Sequence, residues 1–379
     1  MSISVLPENA LENARLLLDM AGEKPLYFVL KSNAYGHGLA AIAPLLCREG
    51  EKREVKPRFA LSSLEEALAF FSLVPRGLSY RPILLLLSPV EDISPLLSHP
   101  AFPLVELRPT LYTKKGTLAL LSEVETAKRS GLLPPSFRLP CEIKLETGMH
   151  RLGFSPSYPL WELFSLPSLR IEGIYSHLGS ADEEDLSRTA LQCRAFSLAL
   201  SALRARGISP FCHLSASAAF LRQGFLGMDG GRIGLLLYGV SPISPFSAAY
   251  SPLPPTFLPV KRLSGRVLCV GEVKKGESVG YGTRPLKEDA RVALLNVGYS
   301  DGIPPSAAYE GRATLLSKRL PLIGSVCMEK CFLSVGDLPV KEGDEAIFYG
   351  DSPQSTSLFA AECGLSPHAL LAFGAKAGV

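Results

Sequence analysis

The chain has 379 residues, 47% hydrophobic and 20% charged, which at roughly 150 residues per domain suggests two domains, perhaps three, with a large core. Lys+Arg 39 against Asp+Glu 36 leaves a net charge of +3, an ordinary globular balance with no signature of a nucleic-acid partner. Unbroken apolar runs such as Ile83 to Leu87 and Leu235 to Tyr238 fall far short of the ~20 residues of a membrane span, and no basic-then-apolar signal opens the chain. A cytoplasmic protein without a membrane partner is therefore expected.

In chain order, residues 1 to 240 alternate short apolar runs with amphipathic stretches, the pattern of parallel strands linked by crossover helices. About eight strands are predicted: Leu26 to Leu30, Arg58 to Leu61, Ile83 to Leu87, Leu104 to Glu106, Cys141 to Leu145, Ile171 to Ser176, Cys212 to Leu214 and Ile233 to Leu237. Eight βα units predict an α/β fold, a TIM-like (β/α)8 barrel. Ser63 to Glu66 has capping-box spacing, and Asp182 opens an acidic first turn of a helix ending near Gly207. Residues 241 to 259 hold six prolines and no periodicity, and read as a linker. Beyond it, Gly265 to Val270, Arg291 to Val297, Ala313 to Leu316 and Ala346 to Tyr349 are short, β-rich and separated by turn residues, so residues 241 to 379 are expected to form a mostly antiparallel β domain.

The eight cysteines are scattered, in a chain too large to need stapling, and read as reduced thiols. The one close pair, Cys327 and Cys331, lacks a second pair of ligands at finger-like spacing, so no metal is expected. Chemistry concentrates instead at Leu30-Lys31-Ser32-Asn33-Ala34-Tyr35-Gly36-His37-Gly38, where the first barrel strand ends. Active sites of such barrels lie at the strands' C-terminal ends. A lysine there either reaches solvent or has a depressed pKa and a nucleophilic amine. The glycines that follow let backbone approach a ligand closely.

This run resembles the signature of the alanine racemase family, enzymes dependent on pyridoxal phosphate, and the likeness continues in register through Phe59 to Leu68, Lys144 to Phe154, Glu172 to His177, His213 to Ser217, Arg232 to Gly239, Val279 to Gly282, Asn296 to Gly302 and Gly324 to Cys331. The resemblance implies that Lys31 carries the cofactor covalently and is one of two catalytic bases. Racemisation needs a second base on the opposite face of Cα, because a single base tends to return the proton to its own side; Tyr281 matches that base. It further implies a head-to-tail homodimer in which Lys31 and Tyr281 meet between subunits. Arg232 matches the arginine facing the pyridine nitrogen, to which it donates without surrendering a proton. His177 matches the histidine that links this arginine to the tyrosine.

By the same resemblance Tyr35, Ser217 and the backbone amides of Gly234 and Leu235 hold the phosphate. Arg151 orients the cofactor's phenolic oxygen and the substrate carboxylate, and Lys144, often carbamylated in the family, supports it. Tyr299 and Met328 stand at the entrance and at the substrate carboxylate. Several positions depart from the family pattern: Ala216 replaces an asparagine, Glu329 an aspartate on the pocket floor, and His150 a glycine, while the C-terminus shows no tyrosine at a phosphate-contacting position. The implied activity is interconversion of L- and D-alanine, supplying D-alanine for peptidoglycan. Serine, or a broader set of amino acids, is an alternative substrate, and amino-acid decarboxylation an alternative reaction.

Overall fold

The structure, a computed structural model, describes residues 2–53, 57–90, 92–250, 253–254, 256–282, 284–351 and 355–373. The C-terminal residues from 374 onward, read in the sequence as lacking a tyrosine, lie outside these. The chain divides into two compact units, one of Ala14–Ala34 and Leu39–Gly234, the other of Met1–Asn13, Tyr35–Gly38 and Leu235–Val379.

A short strand, β1 (Ser2–Val5), precedes a helix over Pro7–Ala21. The first unit is a closed parallel barrel of β2 (Leu26–Val29), β3 (Arg58–Leu61), β4 (Ile83–Leu86), β5 (Glu106–Leu111), β6 (Leu139–Lys144), β7 (Leu169–Tyr175), β8 (Phe211–Ser215) and β9 (Gly230–Ile233). The eight strands are those expected, with two displaced. β5 starts where Leu104 to Glu106 was expected to end, because Phe102–Leu104 forms a 3-10 turn. Pro109 inside β5 argues against a strand in the sequence, since it lacks an N–H; here Thr110 Oγ1 donates to Leu86 O at 2.7 Å and supplies a donor beside it. β9 ends at Ile233, and Leu235–Tyr238 is a buried 3-10 turn; a short apolar run does not by itself distinguish strand from buried turn.

Ser63 caps the helix Leu64–Leu73 by accepting from Glu66 N at 3.2 Å. The Glu66 carboxylate does not close the box on Ser63, since it takes the backbone N–H groups of Ser62 and Ser32 instead. The helix expected from Asp182 begins at Ser187, with Asp185 accepting from Ser187 N. Polar side chains occupy much of the barrel interior: Tyr27, Arg108, Glu142, His213 and Arg232 are all buried.

The second unit is an antiparallel sheet built on the long β10 (Lys261–Val273), joined by β11 (Ala290–Leu295), β12 (Arg312–Leu315), β13 (Lys318–Pro321), β14 (Cys331–Ser334) and β15 (Glu345–Tyr349), in the order β13-β12-β15-β10-β11-β14. β1 pairs with β10, Ile3 opposite Leu263. Its core gathers Leu263, Leu295, Leu333, Phe348 and Phe359, each fully buried. All eight cysteines are free of disulfides; Cys47, Cys141, Cys212, Cys331 and Cys363 are buried and Cys269 is exposed. Among the described residues no helix is long and apolar enough to cross a membrane.

Candidate active site

The residues singled out in the sequence fall into two groups, one in each unit. In the barrel they converge on the C-terminal ends of strands. Lys31 follows β2, Lys144 closes β6, His177 follows β7, Ser217 follows β8 and Gly234 follows β9. Burial, with Arg151 nearby, lowers the Lys31 pKa, opposed by Glu66, which raises the share of neutral amine above that of a free lysine. Burial and the charges of Arg151 and Arg232 likewise bring Lys144 down to about 8.

Lys31 opens a turn of unusual hand. Ser32, Asn33, Ala34 and Tyr35 have φ of 54, 52, 54 and 55°, and Gly36 follows at 75°. Each non-glycine residue in this region costs roughly 1–2 kcal/mol, so the turn persists only where its surroundings hold it. Ala34 N donates to Leu30 O at 2.8 Å, Leu39 N to Asn33 Oδ1 at 2.7 Å, and Ser32 N to Glu66. Glu66, in the first turn of the helix Leu64–Leu73, is therefore a clamp on the backbone beside Lys31. Tyr35, whose phenol burial pushes up to about 12, lies with its ring centroid 5.2 Å from Tyr238 and 5.9 Å from His368. The imidazole of His368 thus stands beside Tyr35.

The loop bearing Arg151 is organised by one carboxylate. Glu146 Oε1 accepts the backbone N–H groups of Gly148, Met149 and His150 at 3.0, 2.6 and 2.7 Å. His150 takes φ 54°, a conformation that glycine adopts without strain. Ser217 Oγ accepts from Gly234 N at 3.1 Å, so these two expected phosphate contacts adjoin. Ala216 is the N-cap of the helix Ser217–Gln223 and offers it no side-chain cap.

Arg232 is the most fully engaged of these side chains. Its Nη1 donates to His213 Nδ1 at 2.9 Å and His213 O at 3.0 Å, and its Nη2 to Ser176 O at 2.6 Å and His177 Nδ1 at 3.3 Å. Among the described residues its Nε–H makes no hydrogen bond. Burial lowers its pKa to about 10, which leaves it charged. His177 is held neutral by burial and by the cations Arg232, Arg151, Lys144 and Lys31. Gln192 fixes the His177 loop, donating to His177 O at 3.0 Å and accepting from Gly179 N at 2.8 Å. The sequence reading passed over His213 and Glu142, which stand behind Arg232; a buried acid on β6 and a buried imidazole on β8, either side of β7, are the signal that marks them.

In the β unit, Tyr281, Tyr299 and Met328 lie on three segments tied by hydrogen bonds to backbone carbonyls. Ser325 Oγ donates to Tyr281 O at 2.9 Å, Tyr299 N to Cys327 O at 2.9 Å, and Ser300 N to Met328 O at 2.9 Å. Gly298 is required by this packing, for a Cβ there would stand 2.2 Å from Cys327 O. The side chains face outward: Tyr281 is 77% exposed, Met328 56% and Tyr299 36%, and Glu329 beside them is exposed.

A closed barrel with an amine at its first strand end and three further basic side chains, Lys144, Arg151 and Arg232, at that same end, followed in the chain by an antiparallel β unit, has the make-up of an enzyme acting on a small anionic molecule. The family model for the alanine racemase N-terminal domain matches residues 7–242, and that for its C-terminal domain residues 260–375. Among curated proteins, the alanine racemase of Carboxydothermus hydrogenoformans is 31% identical over 354 residues, covering 92% of this chain and 89% of the relative. That of Clostridium tetani is 31% identical over 350 residues, covering 90% and 83%. The biosynthetic alanine racemase from Pseudomonas aeruginosa superposes with a TM-score of 0.80 at 28% identity, over 98% of this chain and 96% of that one. The Bartonella henselae alanine racemase, solved with covalently bound pyridoxal phosphate, has the same fold, with a TM-score of 0.77 at 23% identity over 98% and 96% of the two chains. The protein is an amino-acid racemase, an isomerase. It belongs to the alanine racemase family.

Proposed function

We propose that the chain is a pyridoxal-phosphate-dependent racemase that interconverts L- and D-alanine in the cytoplasm, supplying D-alanine for peptidoglycan. The observation that carries this reading is Arg232: with both Nη atoms given to protein acceptors, its buried guanidinium keeps one N–H, on Nε, for the acceptor nitrogen of a ligand ring. The donors that the resemblance assigns in each unit suit the cofactor's other groups. Tyr35, Ser217 and the amides of Gly234 and Leu235 bind phosphate, and Arg151 pairs with the phenolic oxygen and the substrate carboxylate through its planar fork. When bound, the cofactor supplies an electron sink that acidifies the proton on Cα of an attached amino acid.

Lys31 holds the cofactor and moves the Cα proton on one face, a task that its lowered pKa assists. Tyr281 moves it on the other. Because Arg232 stays protonated, it donates a hydrogen bond to the ring nitrogen and withholds a proton, which limits electron withdrawal and suppresses side reactions. His177 links Arg232 toward the tyrosine. Lys144, with a pKa brought to about 8, has the neutral fraction that carbamylation requires and supports Arg151. Tyr299 lines the entrance, Met328 N–H meets the substrate carboxylate, and Glu329 shapes the floor.

In this reading residues 1–240 form the cofactor-binding domain and 241–379 the β domain, and the protein is a head-to-tail homodimer whose sites each take Lys31 from one copy and Tyr281 from the other. The outward-facing Tyr281, Tyr299 and Met328 support it, since clustered exposed apolar side chains mark a surface that another covers. The test is chiral analysis of L-alanine and, in parallel, L-serine after incubation with the purified protein and pyridoxal phosphate. D-alanine is expected. D-serine in excess changes the substrate; no D-isomer from either, with the cofactor bound, overturns the reading.

A further inference from the structure

Behind Arg232 runs a buried relay. His213, fully buried, lies between the rings of Tyr27 and Tyr175, its centroid 5.1 and 4.9 Å from theirs, so the imidazole plane is fixed. Its Nδ1 faces Arg232 Nη1 at 2.9 Å and its Nε2 faces Glu142 Oε2 at 2.6 Å. Glu142 is also fully buried, and its other oxygen, Oε1, accepts from the Tyr27 hydroxyl and from Arg108 Nη1 at 3.2 Å. Arg108 in turn donates through Nε to Glu106 Oε1 at 2.8 Å. Gly173 leaves the room for this carboxylate, since a Cβ there would stand 3.0 Å from Glu142 Cδ.

The proton positions follow from what each group can do. A guanidinium only donates, so Nδ1 of His213 must present its lone pair to Arg232. A neutral imidazole carries one proton, which then sits on Nε2, and Glu142 must accept it. An imidazolium is excluded, because it would set an N–H against an N–H. Burial and the charge of Arg232 agree, holding His213 down to about 4, while His213 and Arg108 overcome the burial of Glu142 and keep it ionised, near 2.

We infer that Glu142 is a positioning residue for Arg232: by holding His213 as the Nε2–H tautomer it fixes the lone pair that orients the guanidinium, and so fixes the direction of the Nε–H left for a ligand. Loss of the carboxylate frees the imidazole to place its proton on Nδ1, against Arg232, and the guanidinium must turn. This rests on the proposed cofactor site for its consequence, while the tautomer itself is independent of any ligand.

The test begins with the wild-type chain labelled with 15N-histidine, without cofactor, at pH 7. His213 is expected to show a protonated Nε2 and an unprotonated Nδ1 in slow or no exchange; an Nδ1–H form, an average of two tautomers or an imidazolium overturns the inference. In Glu142→Gln, which keeps the volume and removes the charge, the two nitrogens are expected to lose this separation. The dissociation constant for pyridoxal phosphate should then rise about tenfold or more, the range for groups that orient a contact residue from behind, and the absorption maximum of bound cofactor should shift. An unchanged tautomer and an unchanged spectrum in the variant refute the positioning role. If the variant does not fold, the wild-type nitrogen signals decide. If wild-type protein binds no pyridoxal phosphate, the functional reading fails, and the nitrogen signals still judge the relay.

Discussion

The mouth of the barrel and the loop cluster of the β unit hold their candidate residues by opposite means. In the barrel, side chains are fixed by other side chains: Arg232 by two histidines and backbone carbonyls, the Arg151 loop by Glu146, and the turn after Lys31 by Glu66. In the β unit the backbone is fixed and the side chains are not, with Tyr281, Tyr299 and Met328 projecting from glycine-bearing turns. One region is preorganised within its own unit. The other holds its backbone in place and presents its candidate side chains outward.

The sharpest break in that comparison is Lys31→Ala, expected to reduce racemisation by more than about 10⁴-fold, the upper range of one positioned proton-transfer group; unchanged turnover measured by chiral chromatography sinks the mechanism. Tyr281→Phe comes next, with a loss of about 10²–10⁴-fold and thermal stability changed by less than ~0.5 kcal/mol, as for an exposed side chain. Deuterium exchange at Cα from the two enantiomers should fall unequally, and equal loss refutes the two-base assignment. Dilution tests the need for a cover without any substitution: activity per chain is expected to fall as a dimer seen by analytical ultracentrifugation dissociates. A monomer of full activity contradicts the shared site.

The smallest expected effect concerns acid. His213 is held neutral in the folded barrel with a pKa of about 4, while in the unfolded chain it titrates near 6.5. Between those values the unfolded state binds the extra proton, so stability falls as pH drops from about 6.5. At pH 5 the loss is about 2 kcal/mol from this residue, or roughly 4–8 °C in the barrel's transition temperature. The sole tryptophan, Trp161, belongs to the barrel unit and reports it by fluorescence. An equal transition temperature at pH 7 and pH 5 refutes the buried neutral imidazole.

Most of the plan was legible because hydrophobic alternation and turn residues carry it: eight barrel strands and the β domain follow from them, with errors where an apolar run was a turn, at Leu235–Tyr238, and where Pro109 disguised a strand. The site residues were legible only through the motif at Lys31 and its echoes along the chain. What stayed hidden were partnerships between distant segments. Nothing local to Glu66 announces a bond to Ser32, and nothing local to Glu142 announces His213, 71 residues away. The left-handed turn was hidden for a different reason, since Ser-Asn-Ala-Tyr carries only Asn33 as a residue at ease there.

The scattered thiols make the molecule its own recorder of opening. Cys47, Cys141 and Cys212 lie buried in the barrel, Cys331 and Cys363 in the β unit, and burial holds the thiols of Cys47, Cys212 and Cys363 up at about 12. Alkylating reagents attack the thiolate, so these positions stay silent until the surrounding structure parts. Cys269, exposed on β10, takes up reagent from the start and dates the pulse. Mass spectrometry of timed alkylation thus reads, from unmodified native sequence, which unit breathes first and how often.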